Sequence, residues 1–206
     1  MTLTQLKSSS FSKAAEEIIA AGLFLGAKGW APATSGNYSM RLEDGRIAIT
    51  VSGRTKGALT AQSIMIVEAD GTPCDNRIPS AETLLHVGIY HVYPDCHAVL
   101  HTHSLNSTVF TKRYAELDAL VLENYELLKV FPHIKTHEAR VSLPIVDNAQ
   151  DMKALSATIT PRLAKDISAY LIRGHGLYAW GRDMTEARAI IEATEFMLGC
   201  ELELRS

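Results

Sequence analysis

Apolar residues recur every three or four positions in several stretches of the chain, which is the spacing of one face of an amphipathic helix. The stretches with this spacing are residues 11–28, 80–92, a segment that starts near 106, 122–130, 151–165 and 183–204. Gly29 ends the first stretch, and Pro161 is a candidate break in the fifth. Asp183 and Glu186 resemble a capping box at the start of the last. The pattern therefore predicts helices in all of these segments.

Shorter apolar runs bounded by turn residues predict strands. The predicted strands are residues 37–42, 46–51, 64–68, 98–103, 140–146, 167–172 and 177–180. The dipeptide Asp44-Gly45 between the first two runs is typical of a hairpin turn. Because helices and strands do not alternate strictly, we expect an α/β fold with one largely antiparallel central sheet and helices on both faces. No linker interrupts the chain, so residues 1–206 are predicted to form a single domain.

Composition and charge narrow the class of protein. The chain has 206 residues, of which 47% are hydrophobic and 21% charged, as in ordinary globular domains. The net charge of −3 gives no basic field for nucleic acid or anionic membranes, so an anionic substrate needs a local site. No run of about 18 apolar residues occurs. The odd and scattered cysteines, Cys74, Cys96 and Cys200, indicate free thiols and a cytoplasmic protein.

Histidines supply the sharpest chemical signal. His101 and His103 flank a single residue in a predicted strand, so both side chains point to the same face and can converge on one metal ion. His175 lies between Gly174 and Gly176, where a sharp turn could present it as a third ligand. Taken alone, each pattern is also compatible with histidines that pack or face solvent.

Two small polar loops are candidates for binding a phosphate group. One is Thr34-Ser35-Gly36-Asn37, and the other runs from Ser52 to Gly57. Such loops offer backbone N–H groups and hydroxyls, while Arg54 could bind a phosphate bidentately and Lys56 adds a point charge. Neither loop matches a known nucleotide fingerprint, and two ordinary turns are the alternative interpretation.

Two glutamates are candidates for proton transfer. Glu82 falls in the first turn of a predicted helix, where the helix dipole alone would explain a carboxylate. Glu126 precedes an apolar residue, and a partly buried carboxylate there would have a raised pKa. The alternative is a solvated helix face that Glu126 shares with Glu123 and Lys129.

Five short motifs, in this order, resemble the class II aldolase/adducin superfamily. They are Thr34-Ser35-Gly36-Asn37, Ser52-Gly53, Pro79-Ser80-Ala81-Glu82, His101-Thr102-His103 and His175-Gly176. The motifs span residues 34–176, and the flanking helices also fit. Further matches resemble the branch of sugar-phosphate dehydratases of methionine salvage. These matches are Gly29-Trp30-Ala31-Pro32, His101-Thr102-His103-Ser104, Glu126-Leu127-Leu128-Lys129 and the nine residues from Arg173 to Gly181.

The resemblance implies a cytoplasmic zinc enzyme, usually a homotetramer, with one Zn²⁺ per subunit. The implied reaction converts 5-methylthio-D-ribulose 1-phosphate to 5-methylthio-2,3-dioxopentyl 1-phosphate and water. His101, His103 and His175 would hold the zinc. The residues implied in binding substrate and phosphate are Thr34, Ser35, Gly36, Asn37, Ser52, Gly53, Arg54, Lys56 and Ser80.

The catalytic acid/base is open between two residues. The dehydratase branch carries its proton-transferring glutamate at the position of Glu126, which we favour, whereas the aldolases use the position of Glu82. Two alternatives to the dehydratase follow from the superfamily: a class II sugar-phosphate aldolase of the fuculose-phosphate type, and a non-catalytic adducin-like interaction module.

Overall fold

A computed structural model describes residues 3–163 and 167–205, with side chains of the first helix from residue 10 onward. Its helices are α1 (Leu3–Ala27), α2 (Thr83–Val92), α3 (Leu105–Arg113), α4 (Met152–Ile159) and α5 (Met184–Leu204). Its strands are β1 (Asn37–Arg41), β2 (Ile47–Thr50), β3 (Ile64–Val67), β4 (Ala98–Thr102), β5 (Ala119–Glu123), β6 (Arg140–Val146), β7 (Ala169–Ile172) and β8 (Gly176–Gly181).

The strands form one sheet in the order β3-β2-β1-β4-β8-β7-β6-β5. Every neighbouring pair is antiparallel except β6 and β7. The β1–β2 hairpin turns at Gly45, whose φ of +85° suits a residue without a side chain. The central strands β4 and β8 are buried along their whole length, so the middle of the sheet forms the core.

Helices cover both faces of the sheet. On β1, the side chains of Asn37 and Ser39 share one face and hydrogen-bond to His86 of α2. Met40 points to the opposite face and lines a crevice with Ala14 of α1. Helix α5 packs on β4 and β8 beside α1 and α3, whereas α2 packs on α4. The predicted α/β class, with a largely antiparallel sheet covered on both faces, is confirmed.

The helix predicted over residues 122–130 is wrong. Residues 119–123 form strand β5, in which Leu120 and Leu122 are fully buried while Ala119, Val121 and Glu123 are partly or fully exposed. This alternation has the period of a strand, and β5 pairs with β6. Asn124 then adopts a φ of +62° and ends the strand, and a single 3₁₀ helix covers Glu126–Val130.

Smaller differences concern the ends of helices. The segment predicted from residue 80 becomes helical only at Thr83, and the segment over 151–165 ends at Ile159, with a 3₁₀ turn around Pro161. Residues 164 and 165 of that prediction lie outside the described residues. The capping box forms in part: Asp183 accepts from the Glu186 N–H, but Glu186 accepts from the Arg182 N–H.

Two further features concern the cysteines and the helices. Cys74, Cys96 and Cys200 are free thiols, as predicted. None of the helices in the described part of the chain is long and apolar enough to cross a membrane.

A buried carboxylate on α5 makes the stability of the fold depend on pH. Glu195 is 1% exposed, and its oxygens have no hydrogen-bond partner among the described residues. The nearby Ser104 hydroxyl donates to Ser107 instead. Burial raises the pKa of Glu195 from 4.5 to about 7. Because folding raises this pKa, protonated Glu195 favours the folded state, and that contribution is lost as the pH rises from 4.5 through about 7.

Glu195→Gln is therefore expected to stabilise the protein at pH 8 by up to roughly 3 kcal/mol, the full value of this pKa difference, and by much less at pH 5. Urea unfolding of wild type and variant at both pH values measures the effect. Glu192→Gln, on the same helix with a half-exposed side chain paired with Lys28, is the control and should not stabilise the protein at pH 8. An unchanged free energy of unfolding at pH 8 would contradict the prediction.

Candidate metal centre and substrate crevice

The candidate histidines meet where the end of β4 lies beside the start of β8. His101 is the fourth residue of β4, and His103 follows the end of that strand, where its backbone N–H donates to the Trp30 carbonyl. His175 lies in the turn between β7 and β8. The antiparallel register of β4 and β8 places His101 opposite Tyr178. Two neighbouring strands thus bring together histidines that are more than 70 residues apart in sequence.

Two glycines allow the chain to pass close to this point. A Cβ atom at Gly176 would lie 2.0 Å from the carbonyl oxygen of Thr102, and one at Gly36 would lie 2.6 Å from that of His101. Gly36 also has a φ of +77°, a conformation that other residues adopt only under strain. Any side chain at either position would therefore clash with the backbone of β4, the strand that carries His101.

Three imidazole nitrogens converge on one point. The Nε2 atom of His103 lies 2.8 Å from Nε2 of His101 and 3.0 Å from Nε2 of His175, and the remaining pair is 3.4 Å apart. The carboxylate of Glu82 joins them, with Oε2 at 3.2 Å from Nε2 of His101 and Oε1 at 3.2 Å from Nε2 of His175. Among the described residues, this is the one group of three or more His, Cys, Asp or Glu side chains able to hold a metal ion.

Hydrogen bonds at the outer side of the rings fix which nitrogen faces inward. His101 Nδ1 lies 3.1 Å from the Leu177 carbonyl and must donate to it, so its Nε2 carries a lone pair. His175 Nδ1 lies 3.3 Å from Asn148 Oδ1, with the same consequence. The Nε2 lone pairs of His101 and His175 and the carboxylate of Glu82 all face one point, and they repel one another unless a cation is bound there. This set of donors therefore fits a divalent metal.

Burial keeps the rings of His101 and His103 neutral, as metal ligands must be. Desolvation, with a smaller contribution from His103, holds the pKa of His101 well below its usual value. Desolvation, followed by His175, lowers the pKa of His103 to about 4. His101 and His103 are therefore neutral imidazoles at neutral pH.

Glu82 is held in place by two donors. Its Oε2 atom accepts from Asn37 Nδ2 at 2.7 Å and from the Tyr178 hydroxyl at 2.9 Å. Tyr178 also stacks on the His101 ring, with centroids 4.0 Å apart. Glu82 is 8% exposed and lies one residue before α2, so the helix begins where the carboxylate enters the cluster.

A crevice of about 370 Å³ opens beside the cluster. Its wall contains Glu82, His103 and His175 together with both polar loops. Of the residues predicted to bind substrate, the crevice is lined by Thr34, Ser35, Gly36, Asn37, Ser52, Gly53, Lys56 and Ser80. The Ser52 N–H donates to the Ile78 carbonyl and the Ser80 N–H to that of Thr50, which brings the second loop beside Ser80.

Lys56 joins the two loops. Its Nζ atom donates to the carbonyls of Thr34 and Arg54, at 2.6 Å each, which leaves one N–H free at the wall of the crevice. Its side chain is almost fully buried, and burial lowers its pKa to about 8, an effect that Glu82 partly opposes. At neutral pH the ammonium group remains mostly charged.

Two predicted residues lie away from this crevice within the chain. Arg54 is exposed and is not part of the wall. Glu126 lies beyond the edge strand β5, with its side chain 71% exposed and paired with Lys129. The hydrogen bond from Lys129 lowers the pKa of Glu126, so the raised pKa expected for a partly buried carboxylate is wrong. Within one chain, Glu126 is a solvent-exposed carboxylate.

Asn37 lines the crevice, but its side chain has other partners. Both ends of the amide are engaged, one by Glu82 and the other by His86. Sequence reasoning missed this role, and it missed Tyr178 entirely. The four-residue spacing of Glu82 and His86 indicates that both side chains lie on one face of a helix, where one residue can contact both. The pairing of His101 with Tyr178 depends on strand register, which no local sequence pattern reveals.

Comparison with known proteins agrees with this geometry. The model of the family described as "Class II Aldolase and Adducin N-terminal domain" matches residues 16–202. The chain belongs to the class II aldolase and adducin family. It is 51% identical over 197 residues to a methylthioribulose-1-phosphate dehydratase of Hahella chejuensis, covering 94% of this chain and 95% of that one. It is 48% identical over 196 residues to the enzyme of that name from Methylococcus capsulatus, with 94% and 95% covered.

Two solved structures share the fold of this chain. YgbL of Escherichia coli superposes with a TM-score of 0.82 at 26% identity, over 95% of this chain and 91% of that one. An L-fuculose 1-phosphate aldolase superposes with a TM-score of 0.79 at 21% identity, over 94% and 87%. The family resemblance predicted from the five sequence motifs is thereby confirmed.

Proposed function

We propose that this chain is a zinc-dependent dehydratase that converts 5-methylthio-D-ribulose 1-phosphate to 5-methylthio-2,3-dioxopentyl 1-phosphate and water, as a step of methionine salvage. The observation that carries the proposal is the convergence of His101, His103, His175 and Glu82 beside a polar crevice. This site occurs in a chain that is about half identical to relatives with that name.

The donor set suits zinc. Zinc takes imidazole nitrogen and carboxylate oxygen at about 2.0–2.2 Å, so ligand atoms in a tetrahedral site lie roughly 3.3 Å apart. The nitrogen and oxygen atoms reported above lie 2.8 to 3.4 Å apart, which matches that spacing. We assign His101, His103 and His175 as the ligands, with Glu82 beside them. A bound divalent ion supplies a Lewis acid that polarises a ketone and acidifies the neighbouring C–H bond.

The phosphate group fits the other end of the crevice. The hydroxyls of Ser52 and Ser80 and the ammonium of Lys56 lie there and can donate to a phosphate, and Gly36 and Gly53 let its oxygens approach the backbone of the two loops. A phosphate held at this end would place the C2 ketone and C3 hydroxyl of the sugar toward the histidines. Arg54 could join only through a rearrangement of its exposed side chain.

The elimination of water requires two proton transfers. A base removes the proton from C3, and an acid protonates the C4 hydroxyl, which leaves as water. The resulting enol tautomerises to the dione, so no redox cofactor is consumed. A single carboxyl group that first accepts and then donates a proton can serve both steps.

We assign this proton transfer to Glu126, supplied by a neighbouring copy of the chain. Within one chain the exposed Glu126 side chain lies outside the crevice, so it can act only on a site of another subunit. This assignment requires a homo-oligomer, for which we propose the homotetramer typical of the dehydratase branch. Glu82, which is fixed by Asn37 and Tyr178, is then a part of the metal site.

A sugar-phosphate aldolase is the second candidate, because Glu82 lies at the cluster, at the position of the aldolase acid/base. Incubation of zinc-loaded protein with each sugar phosphate separates the two. We expect a dione product from 5-methylthio-D-ribulose 1-phosphate and no cleavage of fuculose 1-phosphate. Cleavage of the second compound alone would establish the aldolase, and a protein that binds no zinc and acts on neither would be a non-catalytic module.

The proposed phosphate site gives a direct prediction. The sugar without its phosphate should show a KM at least on the order of 10²-fold higher, since two or more hydrogen bonds to a charged group, at about 1.5–3 kcal/mol each, are lost. Lys56→Met should weaken the preference for the phosphorylated sugar, and Arg54→Met should weaken it less, because Lys56 lines the crevice and Arg54 does not. Equal KM values for the phosphorylated and the dephosphorylated sugar would show that the phosphate site is misassigned.

A further inference from the structure

A chain of buried hydrogen bonds leads from the cluster into the protein. Asn37 Oδ1 lies 2.5 Å from Nε2 of His86, whose Nδ1 lies 2.7 Å from the Ser39 hydroxyl. The Ser39 hydroxyl lies 2.9 Å from that of Tyr90. His86 and Ser39 are fully buried, and Asn37 and Tyr90 are less than a tenth exposed. These four residues connect β1 with one face of α2, and Asn37 links them to Glu82.

The chemistry of the partners fixes the direction of every hydrogen bond. The Glu82 carboxylate only accepts, so the amide nitrogen of Asn37 must donate to it, and the amide oxygen faces His86. That oxygen also only accepts, so His86 carries its proton on Nε2 and its Nδ1 accepts from Ser39. Ser39 in turn accepts from Tyr90. One tautomer of His86 therefore satisfies all of these groups.

We propose that His86 is a positioning residue, which holds the Asn37 amide so that its nitrogen points at Glu82 and fixes that carboxylate toward the three histidines. The amide of an unsupported asparagine can turn over, and it would then present its oxygen to the carboxylate, which repels it. His86 prevents this because its Nε2–H needs an acceptor. The inference rests on the proposed metal site and not on the identity of the substrate.

Two substitutions at position 86 separate positioning from packing. The amide nitrogen of Gln reaches the place of imidazole Nε2, whereas the amide of Asn reaches only the place of Nδ1. His86→Gln should therefore keep the bond to Asn37 and keep zinc affinity close to wild type. His86→Asn should lose that bond and lower zinc affinity by about 10- to 100-fold, the usual cost of removing a hydrogen-bond partner from the surroundings of a metal site. Competition with a chromogenic chelator measures zinc affinity without any activity assay.

A third measurement tests whether His86 acts through Glu82. In a Glu82→Ala background there is no carboxylate to orient, so His86→Asn should have no further effect on zinc affinity. Tyr90→Phe, which leaves Ser39 able to donate to His86, is the matched control and should bind zinc normally. Thermal unfolding of all variants identifies any that fail to fold.

Three outcomes would overturn the inference: unchanged zinc affinity in His86→Asn, an equal loss in His86→Gln, or an undiminished loss in the Glu82→Ala background. Each differs from failure of the proposed function. If wild type bound no zinc, the metal site itself would be wrong, and if it bound zinc without dehydrating the sugar, only the substrate assignment would fall.

Discussion

His103→Ala is expected to abolish zinc binding and to lower dehydratase turnover by at least on the order of 10³-fold. His103 provides the shortest contacts in the cluster, to His101 and to His175, so its removal takes away one of three imidazole donors. A Lewis acid at a reacting carbonyl contributes several kcal/mol, and about 1.4 kcal/mol corresponds to a tenfold change in rate. Zinc analysis of the purified variant and a direct assay measure both effects.

His91→Ala is the matched control for this experiment. His91 is an exposed histidine of α2 that does not belong to the cluster. It should retain zinc and turnover, which excludes a general effect of removing a histidine. A His103→Ala protein that is free of metal and fully active would disprove the metal site.

The histidine cluster is predictable from sequence because the signals for it are local. A strand turns successive side chains to opposite faces, so His101 and His103 share a face wherever the strand lies. The glycines on either side of His175 likewise mark a turn. These signals propose ligands, but they do not establish that the turn of one hairpin meets the end of another strand. The pairing of β4 with β8 establishes this.

The hydrogen-bond partners of Glu82 cannot be predicted from the local sequence. The helix predicted from residue 80 would place Glu82 in its first turn, where the positive end of the helix dipole stabilises a carboxylate. In the structure the helix begins at Thr83, and the carboxylate accepts from Asn37 and Tyr178 instead. Asn37 lies on β1 and Tyr178 on β8, so their contact with Glu82 depends on strand order and register, which are properties of the whole sheet.

The segment around Glu126 was misread for a different reason. Leu122, Tyr125 and Leu128 have the three-residue spacing of one helix face, and the short length of the stretch did not decide between a helix and a strand. Pairing with β6 settles the first half as a strand. The consequence matters for function, because the 3₁₀ helix that follows leaves Glu126 exposed at an edge of the domain.

Glu126→Gln should lower turnover by about 10²–10⁴-fold, the usual contribution of general acid–base catalysis, while zinc content stays near normal. Gln keeps the size of the side chain but cannot transfer the proton. Glu82→Gln should act mainly through the metal, since Glu82 lies 3.2 Å from two of the histidine nitrogens. Turnover and zinc content of both variants are measured side by side. Normal turnover in Glu126→Gln, with a zinc-loaded but inactive Glu82→Gln, would reverse the assignment. Glu82 would then be the acid/base, as in the aldolases.

Mixing two inactive variants tests whether Glu126 serves a neighbouring subunit. In oligomers that contain both His103→Ala and Glu126→Gln chains, a site with intact histidines can meet an intact Glu126 from the other chain. Random assembly in equal amounts should then restore about a quarter of the sites, because each working site needs one particular chain on either side. Coexpression with two affinity tags selects the mixed oligomers, and each variant alone is the control. If Glu126 acted within its own chain, every site would lack either the metal or the acid/base, and mixed oligomers would remain as inactive as the single variants.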